Sequence, residues 1–203
     1  MKIGVVNYEA GNLRSVATAL KALEADFFVS DRPEALISAD RLIFPGVGDA
    51  RAAMEVLERT GLADAIRTFY RHGKRILGIC VGSQIVLDAS EENDARCLGL
   101  IPGVARRFPA GLGVKVPHMG WNQVIYDGHH RLFDGIPSGT SFYFVHSYYP
   151  DPAREEHRLA ECEYGLTFAA GVVRENLTAV QFHPEKSGEA GLRLLGNFMS
   201  MPD

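Results

Sequence analysis

Gly78-Ile-Cys80-Val-Gly82-Ser-Gln84 is the stretch whose reading decides the fold. The residues before it, Arg75-Ile-Leu-Gly-Ile79, form a short apolar run behind the turn signal His72-Gly73-Lys74 and predict a buried strand. The residues after it, Ser83-Gln-Ile-Val-Leu-Asp-Ala-Ser90, predict a helix. Cys80 then sits where a strand turns sharply into a helix, with a glycine two residues to either side. Gly-x-Cys-x-Gly is the thiol form of the nucleophile elbow. A strained turn lifts the sulfur clear of the sheet, side chains at the flanking positions would crowd it, and the helix N-terminus favours thiolate over thiol. A buried core cysteine is the other reading of a lone Cys in a strand, and the paired glycines weigh against it.

Outward from the elbow, the N-terminal half alternates strands and helices. Lys2 to Asn7 predicts a buried first strand, Tyr8 to Gly11 a turn, and Asn12 an N-cap. Leu13, Val16, Ala17, Leu20 and Leu23 follow helical spacing to about Ala25. Phe27 to Val29 and Arg41 to Phe44 predict two more strands, and Ala50 to Arg71 a helix broken at Thr60-Gly61. This order calls for a largely parallel sheet with helices on both faces and right-handed crossovers. Beyond about Cys97 the texture changes to short β-like runs separated by Gly and Pro: 104–108, 113–117, 123–126, 142–148, 159–162, 168–173 and 178–182. These predict antiparallel hairpins appended to the parallel sheet, and Gly191 to Met199 a closing helix. No linker divides the chain, so residues 1–203 are expected to form a single domain.

Composition narrows the function classes. The 203 residues are 46% hydrophobic and 23% charged, the balance of an ordinary globular chain. Lys plus Arg is 21 against 25 for Asp plus Glu, a net charge of −4 with no basic stripe, which argues against nucleic acid as a partner. No apolar stretch reaches the ~18 residues of a membrane span, and the N-terminus lacks the apolar core of a signal peptide. Three cysteines, Cys80, Cys97 and Cys162, lack metal-ligand spacing, so no metal is expected, and their odd number favours free thiols in a reducing cytoplasm.

Two further stretches bear on chemistry. In Gln181-Phe-His183-Pro-Glu185-Lys-Ser187 the proline biases His183 toward extended backbone, where positions i and i+2 point the same way. Glu185 beside His183 can then hold the tautomer and stabilise the imidazolium. Alone, His-Pro-Glu also reads as an ordinary turn; with the elbow it makes a cysteine-histidine-carboxylate triad. Pro45-Gly46-Val47-Gly48 ends the third strand on the edge where parallel strands place their C-termini. It reads either as a tight turn or as a loop offering N–H groups to an oxyanion, beside the N–H of Val81. The chemistry this set fits is acyl transfer through a thioester.

The elbow together with His183-Pro-Glu185 resembles the class I, triad-type glutamine amidotransferases. Asn7-Tyr-Glu-Ala-Gly-Asn-Leu-Arg-Ser-Val16, Pro45-Gly-Val-Gly48, Val116-Pro-His-Met-Gly-Trp-Asn122, Tyr143-Phe-Val-His-Ser-Tyr148 and Gln181 to Gly188 look like the glutaminase subunits of imidazole glycerol phosphate synthase. The match spans nearly the whole chain, and His-Met-Gly-Trp-Asn separates this group from sibling glutaminases. The resemblance implies a flavodoxin-like three-layer α/β/α sandwich and hydrolysis of L-glutamine to glutamate and ammonia without a cofactor. It implies Cys80 as nucleophile, His183 as general base and acid, and Glu185 as its orienting carboxylate. Val47, Gly48 and Val81 would supply the oxyanion hole. Gln84, with the backbone of Gly48 and of His146-Ser147-Tyr148, would hold the amino-acid end of the substrate. The implied partner is a (β/α)8-barrel cyclase subunit forming a heterodimer. Asn12, Trp121, Tyr143 and Lys186 fall on motifs that resemble the docking face, though Trp121 also reads as core and Lys186 as a solvated charge.

Two positions depart from the family pattern: Glu9, where glycine is expected, and Ser83, where a larger apolar residue is usual. Val47 is β-branched and avoids positive φ, which predicts low glutaminase activity until a partner selects the competent loop. Cys97 and Cys162 are expected in the core. His72, His129, His130 and His157 are expected at the surface, and His118 and His146 in structural hydrogen bonds. Another glutaminase of the same class, such as one serving pyridoxal phosphate synthesis, and a non-catalytic module on the same fold are the competing readings. The Pro117 to Asn122 stretch weighs against the first and the intact triad against the second.

Overall fold

The computed structural model describes residues 1–8 and 13–202. In chain order the first half runs β1 (Ile3–Val6), α1 (Leu13–Ala22), β2 (Phe27–Ser30), α2 (Pro33–Ile37), β3 (Arg41–Gly46), α3 (Ala50–Arg59), α4 (Leu62–Arg71), β4 (Ile76–Cys80) and α5 (Val81–Ile85). The second half runs β5 (Ala89–Ser90), β6 (Ala95–Arg96), β7 (Gly103–Arg107), β8 (His118–Gln123), β9 (Ser141–His146), β10 (Tyr148–Pro152), β11 (Arg158–Glu163), β12 (Thr167–Arg174), β13 (Leu177–Val180) and α6 (Gly188–Ser200).

The main sheet has seven strands in the order β11-β12-β13-β4-β3-β1-β2. Strands β2, β1, β3, β4 and β13 are mutually parallel, and β12 joins antiparallel to both β13 and β11. Every residue of β1, β3, β4 and β13 is buried. That is why these strands read as continuous apolar runs and not as alternating ones: helices cover both faces. The parallel order β2-β1-β3-β4-β13 is the doubly wound, flavodoxin-like one, with its reversal between β1 and β3. Right-handed crossovers therefore put α1 on one face and α2, α3 and α4 on the other. Consistent with this, α4 packs against α2 and α3, while α1 and α6 both pack on the turn Pro184–Lys186. A four-stranded sheet, β10-β7-β5-β6, and the hairpin β8-β9 complete the architecture. Among the described residues no helix is long and apolar enough to cross a membrane.

Several local expectations are corrected. Residues 33–37 form a helix, with Pro33 at its start and Glu34 in its first turn. At five residues it is too short to show a period. The helix after the elbow stops at Ile85 and does not reach Ser90. Asp88 exchanges backbone and side-chain hydrogen bonds with Gly103, and β5 is drawn into the small sheet. Residues 113–117 are irregular, because Gly111 and Gly113 take positive φ and Pro117 lacks a donor; the strand is His118–Gln123. The single run expected over 142–148 is two strands that part at Ser147, β9 pairing with β8 and β10 with β7. The break at Thr60-Gly61 is present, with Gly61 left-handed at φ 75°. Cys97 and Cys162 are buried free thiols, held up at about 12 by burial. His157, expected at the surface, is buried at the end of a one-turn helix packed on β12. Asn12 and Glu9 lie outside the described residues.

Candidate active site

The C-terminal ends of β3, β4 and β13 lie side by side, with Gly46 opposite Cys80 and Val180 opposite Ile79. Cys80 takes φ 56° and ψ −113°, a conformation that costs an L-residue on the order of 1–3 kcal/mol and persists where its surroundings enforce it. Gly78 and Gly82 have no positive φ; what they supply is space. A Cβ on Gly78 would sit 2.8 Å from the Ala179 Cβ and 2.9 Å from the Gly82 carbonyl oxygen, and one on Gly82 would run into the Phe44 carbonyl oxygen. The helix begins at Val81, so the Cys80 sulfur stands at its N-terminal end.

His183 comes three residues after β13 and begins the turn through Pro184. Its Nδ1 lies 2.8 Å from Glu185 Oε1, and the two side chains are 1% and 2% exposed. A carboxylate only accepts, so Nδ1 carries the hydrogen and Nε2 is left for Cys80. Among the described residues no hydrogen-bond partner satisfies Nε2. Burial works against charge on His183, but its interactions with the neighbouring Cys80 and then Glu185 outweigh it and hold the imidazole up at about 9. The segment is fixed by the backbone of β9: His183 N–H donates to the Tyr143 carbonyl at 2.9 Å, and Tyr143 N–H to Ser187 Oγ at 3.0 Å.

Three polar side chains brace the elbow, one of them at the sulfur itself. Gln181 Nε2 donates to Cys80 Sγ at 3.8 Å, and Gln181 Oε1 accepts from Gln84 Nε2 at 2.9 Å. The second Gln84 hydrogen goes to the Tyr148 carbonyl at 2.9 Å. Both N–H groups of Gln84 are thus spent inside the protein, so neither is left to donate to a bound molecule. Ser83 Oγ donates to the Cys80 carbonyl at 2.7 Å, so this hydroxyl ties down the elbow.

A cavity of about 280 Å³ opens above Cys80. Val47, Gly48 and Val81 line one side, His146, Ser147 and Tyr148 another, with Gln84, Glu92 and His183. Gly48 carries the positive φ of the loop, 95°, and Val47 does not have one. Glu92 Oε2 accepts from Ala50 N–H at 2.8 Å; burial holds this carboxyl above its ordinary range, against the lowering effect of that hydrogen bond and with some help from nearby Asp49. On the outer face of the β8-β9 hairpin, Trp121 is 59% exposed and stands opposite Tyr143 in register. The rings meet edge to face at 6.2 Å, and Lys186 Nζ lies 5.8 Å from the Tyr143 ring.

Residues 5–201 match the family model described as "Glutamine amidotransferase class-I". The chain belongs to the class I glutamine amidotransferases. Among members of that family it is 48% identical to the imidazole glycerol phosphate synthase subunit HisH of Herpetosiphon aurantiacus, over 98% of this chain and 94% of the relative. It is 45% identical to the HisH subunit of Dehalococcoides mccartyi, over 98% and 97%. A solved glutamine amidotransferase shares the fold with a TM-score of 0.73 at 22% identity, covering 97% of this chain and 96% of that one. The structure of PurLQS from Thermotoga maritima does so at 0.74 and 19%, covering 98% and 97%. This amidotransferase is thus an enzyme of the HisH group, a glutaminase subunit of imidazole glycerol phosphate synthase.

Within the amidotransferase site, sequence reasoning missed Gln181 and Glu92. The first had a signal: Gln181 and His183 are two apart in extended chain and so share a side. The second had none, because Glu92 sits in an irregular one-turn segment 12 residues beyond Cys80.

Proposed function

We propose that Cys80, His183 and Glu185 hydrolyse the side-chain amide of L-glutamine. The observation that carries this reading is the buried His183–Glu185 pair, whose free Nε2 is turned to a cysteine on a strained elbow. His183 Nε2 takes the Cys80 proton, and the sulfur attacks the amide carbon. The oxyanion draws on the N–H of Val81 and of the Val47-Gly48 loop. His183 returns the proton to the departing nitrogen, ammonia leaves, and a glutamyl thioester remains. Water, deprotonated by His183, then releases glutamate and restores the thiol. Glu185 keeps Nδ1 protonated and stabilises the imidazolium in both halves.

The free oxygen of Glu92 is suited to the α-ammonium of glutamine, and the backbone of Gly48 and of His146 to Tyr148 with the Gln84 carbonyl to the rest of its amino-acid end. The Trp121–Tyr143–Lys186 surface is an aromatic anchor with a charge at its rim, the composition of a docking hot spot. Its partner in this reading is a (β/α)8-barrel cyclase that takes the ammonia in histidine biosynthesis, in the cytoplasm, with residues 1–203 acting as one catalytic domain. Because Val47 is stiff, ammonia release is expected to rise when liganded cyclase is added.

Acid quenching during turnover of glutamine, followed by mass spectrometry of the peptide bearing Cys80, tests the mechanism. A glutamyl adduct on Cys80 is expected. Turnover with no adduct on this residue, under conditions where the second half is rate-limiting, contradicts it.

A further inference from the structure

Strand β8 alternates. Met119 and Trp121 face outward and are the most exposed large apolar side chains of the hairpin, while His118 and Asn122 face inward. The inward pair starts a chain of hydrogen bonds. Asn122 Nδ2 lies 3.3 Å from His118 Nε2, His118 Nδ1 lies 2.9 Å from His146 Nε2, and His146 Nδ1 lies 2.8 Å from the Tyr148 carbonyl oxygen.

The direction of this chain follows from its last member. A carbonyl only accepts, so His146 Nδ1 carries a hydrogen. A neutral His146 then accepts at Nε2, so His118 donates from Nδ1 and accepts at Nε2, where Asn122 donates. Both rings are forced into the Nδ1–H tautomer. A proton added to His146 Nε2 would set two donors face to face. Burial agrees, pushing His118 down to about 4 and His146 to about 3. The chain ends on the carbonyl that also accepts from Gln84, whose other hydrogen holds Gln181 against the sulfur.

We propose that His118 and His146 are positioning residues for glutamine hydrolysis, a one-way relay that lets the β8-β9 hairpin set the Tyr148 wall of the substrate pocket. The proposal rests on the reading of Cys80 as a glutaminase nucleophile. The relay touches no reacting atom; it fixes the wall against which the amino-acid end of the substrate lies. Its loss is therefore expected to raise KM and to leave kcat nearly unchanged.

Two variants separate positioning from packing. His118→Phe keeps a ring against Phe144 and Tyr164, which stack on His118 at 4.8 and 3.9 Å, but removes the donor. His118→Asn puts an amide N–H where Nδ1 stood. With the cyclase complex, His118→Phe is expected to raise KM for glutamine roughly three- to tenfold, the worth of one hydrogen bond, with kcat within about twofold and ammonia-driven synthesis unchanged. His118→Asn is expected to recover most of the loss. Equal KM values in the wild type and both variants overturn the relay, as does an equal loss in both variants. Nitrogen-15 spectra of the wild-type imidazoles decide independently of activity and of variant folding: two Nδ1–H rings are expected, and an Nε2–H or doubly protonated ring at either position overturns the proposal. If the wild type released no ammonia from glutamine, the glutaminase reading would fall while those spectra still judged the relay.

Discussion

The substitution Glu185→Gln tests the triad at its most buried point. The carboxylate lies 2.8 Å from His183 Nδ1, with both side chains almost fully enclosed, so no water takes over its role. As an acceptor-only group it dictates which ring nitrogen is free for Cys80. An amide in its place would carry both a donor and an acceptor on one end and no charge. Turning the amide NH2 toward Nδ1 moves the ring proton to Nε2, which then cannot accept from the thiol. The variant also loses the carboxylate that helps hold His183 up at about 9. General-base catalysis by a positioned side chain contributes typically 10²–10⁴-fold, so kcat for glutamine should fall by roughly that factor, or about 3–5 kcal/mol of transition-state stabilisation. The assay compares glutamine-driven with ammonia-driven synthesis by the assembled enzyme. Ammonia-driven turnover should be unchanged, since the substituted side chain is buried against His183 and presents nothing to the exposed docking surface. A glutamine kcat within about twofold of wild type, at full occupancy of the complex, would refute the assigned role.

Other substitutions probe separate links. Gly82→Ala forces a methyl against the Phe44 carbonyl and should lower stability by about 1–3 kcal/mol, read as a drop in the denaturant midpoint, together with loss of glutamine turnover; an unchanged midpoint would count against the close approach of α5 to β3. In Cys80→Ser the strongest interaction raising His183 is weakened, so its titration, followed by NMR, should move down from about 9, and an unmoved midpoint would deny the contact. Because His183 is raised above its ordinary 6.5, the stability it contributes is complete below about 6.5 and lost as pH climbs through about 9; unfolding midpoints should fall across that window in the wild type and less so in Cys80→Ser. Trp121→Ala should weaken cyclase binding by about 2 kcal/mol or more, roughly thirtyfold, with the unfolding midpoint of the free subunit unchanged. Unaltered affinity in calorimetry would place the docking surface elsewhere.

Much of this was legible in the sequence because the physics was local. The continuous apolar runs of β1, β3 and β4 read as buried strands of a parallel sheet, and the glycines around Cys80 could only matter through space or backbone freedom. Space proved to be the reason. The His183–Glu185 pairing was equally local, a consequence of i, i+2 geometry before a proline-led turn. What escaped was set by distant partners. The run 178–182, read as part of an appended antiparallel hairpin, instead supplies β13, parallel to β4 within the main sheet, because its partner strand lies about 100 residues away in sequence. The helix after Cys80 ended early because Asp88 is held by Gly103, 15 residues on. Gln84 reads as a substrate contact, yet its N–H groups are committed to Tyr148 and Gln181, which no spacing rule announces. Ser83 looks like a departure in sequence and is a hydrogen-bonded brace in three dimensions. His118 and His146 stand 28 residues apart and meet only because β8 and β9 pair in register.

The most direct test of the central claim is Cys80→Ala in the assembled two-subunit enzyme. Alanine removes the sulfur and leaves the elbow, the triad's other two members and the docking surface in place. Glutamine-driven synthesis should disappear while synthesis from free ammonia continues at the wild-type rate. Sustained glutamine-driven turnover by the variant would contradict the account.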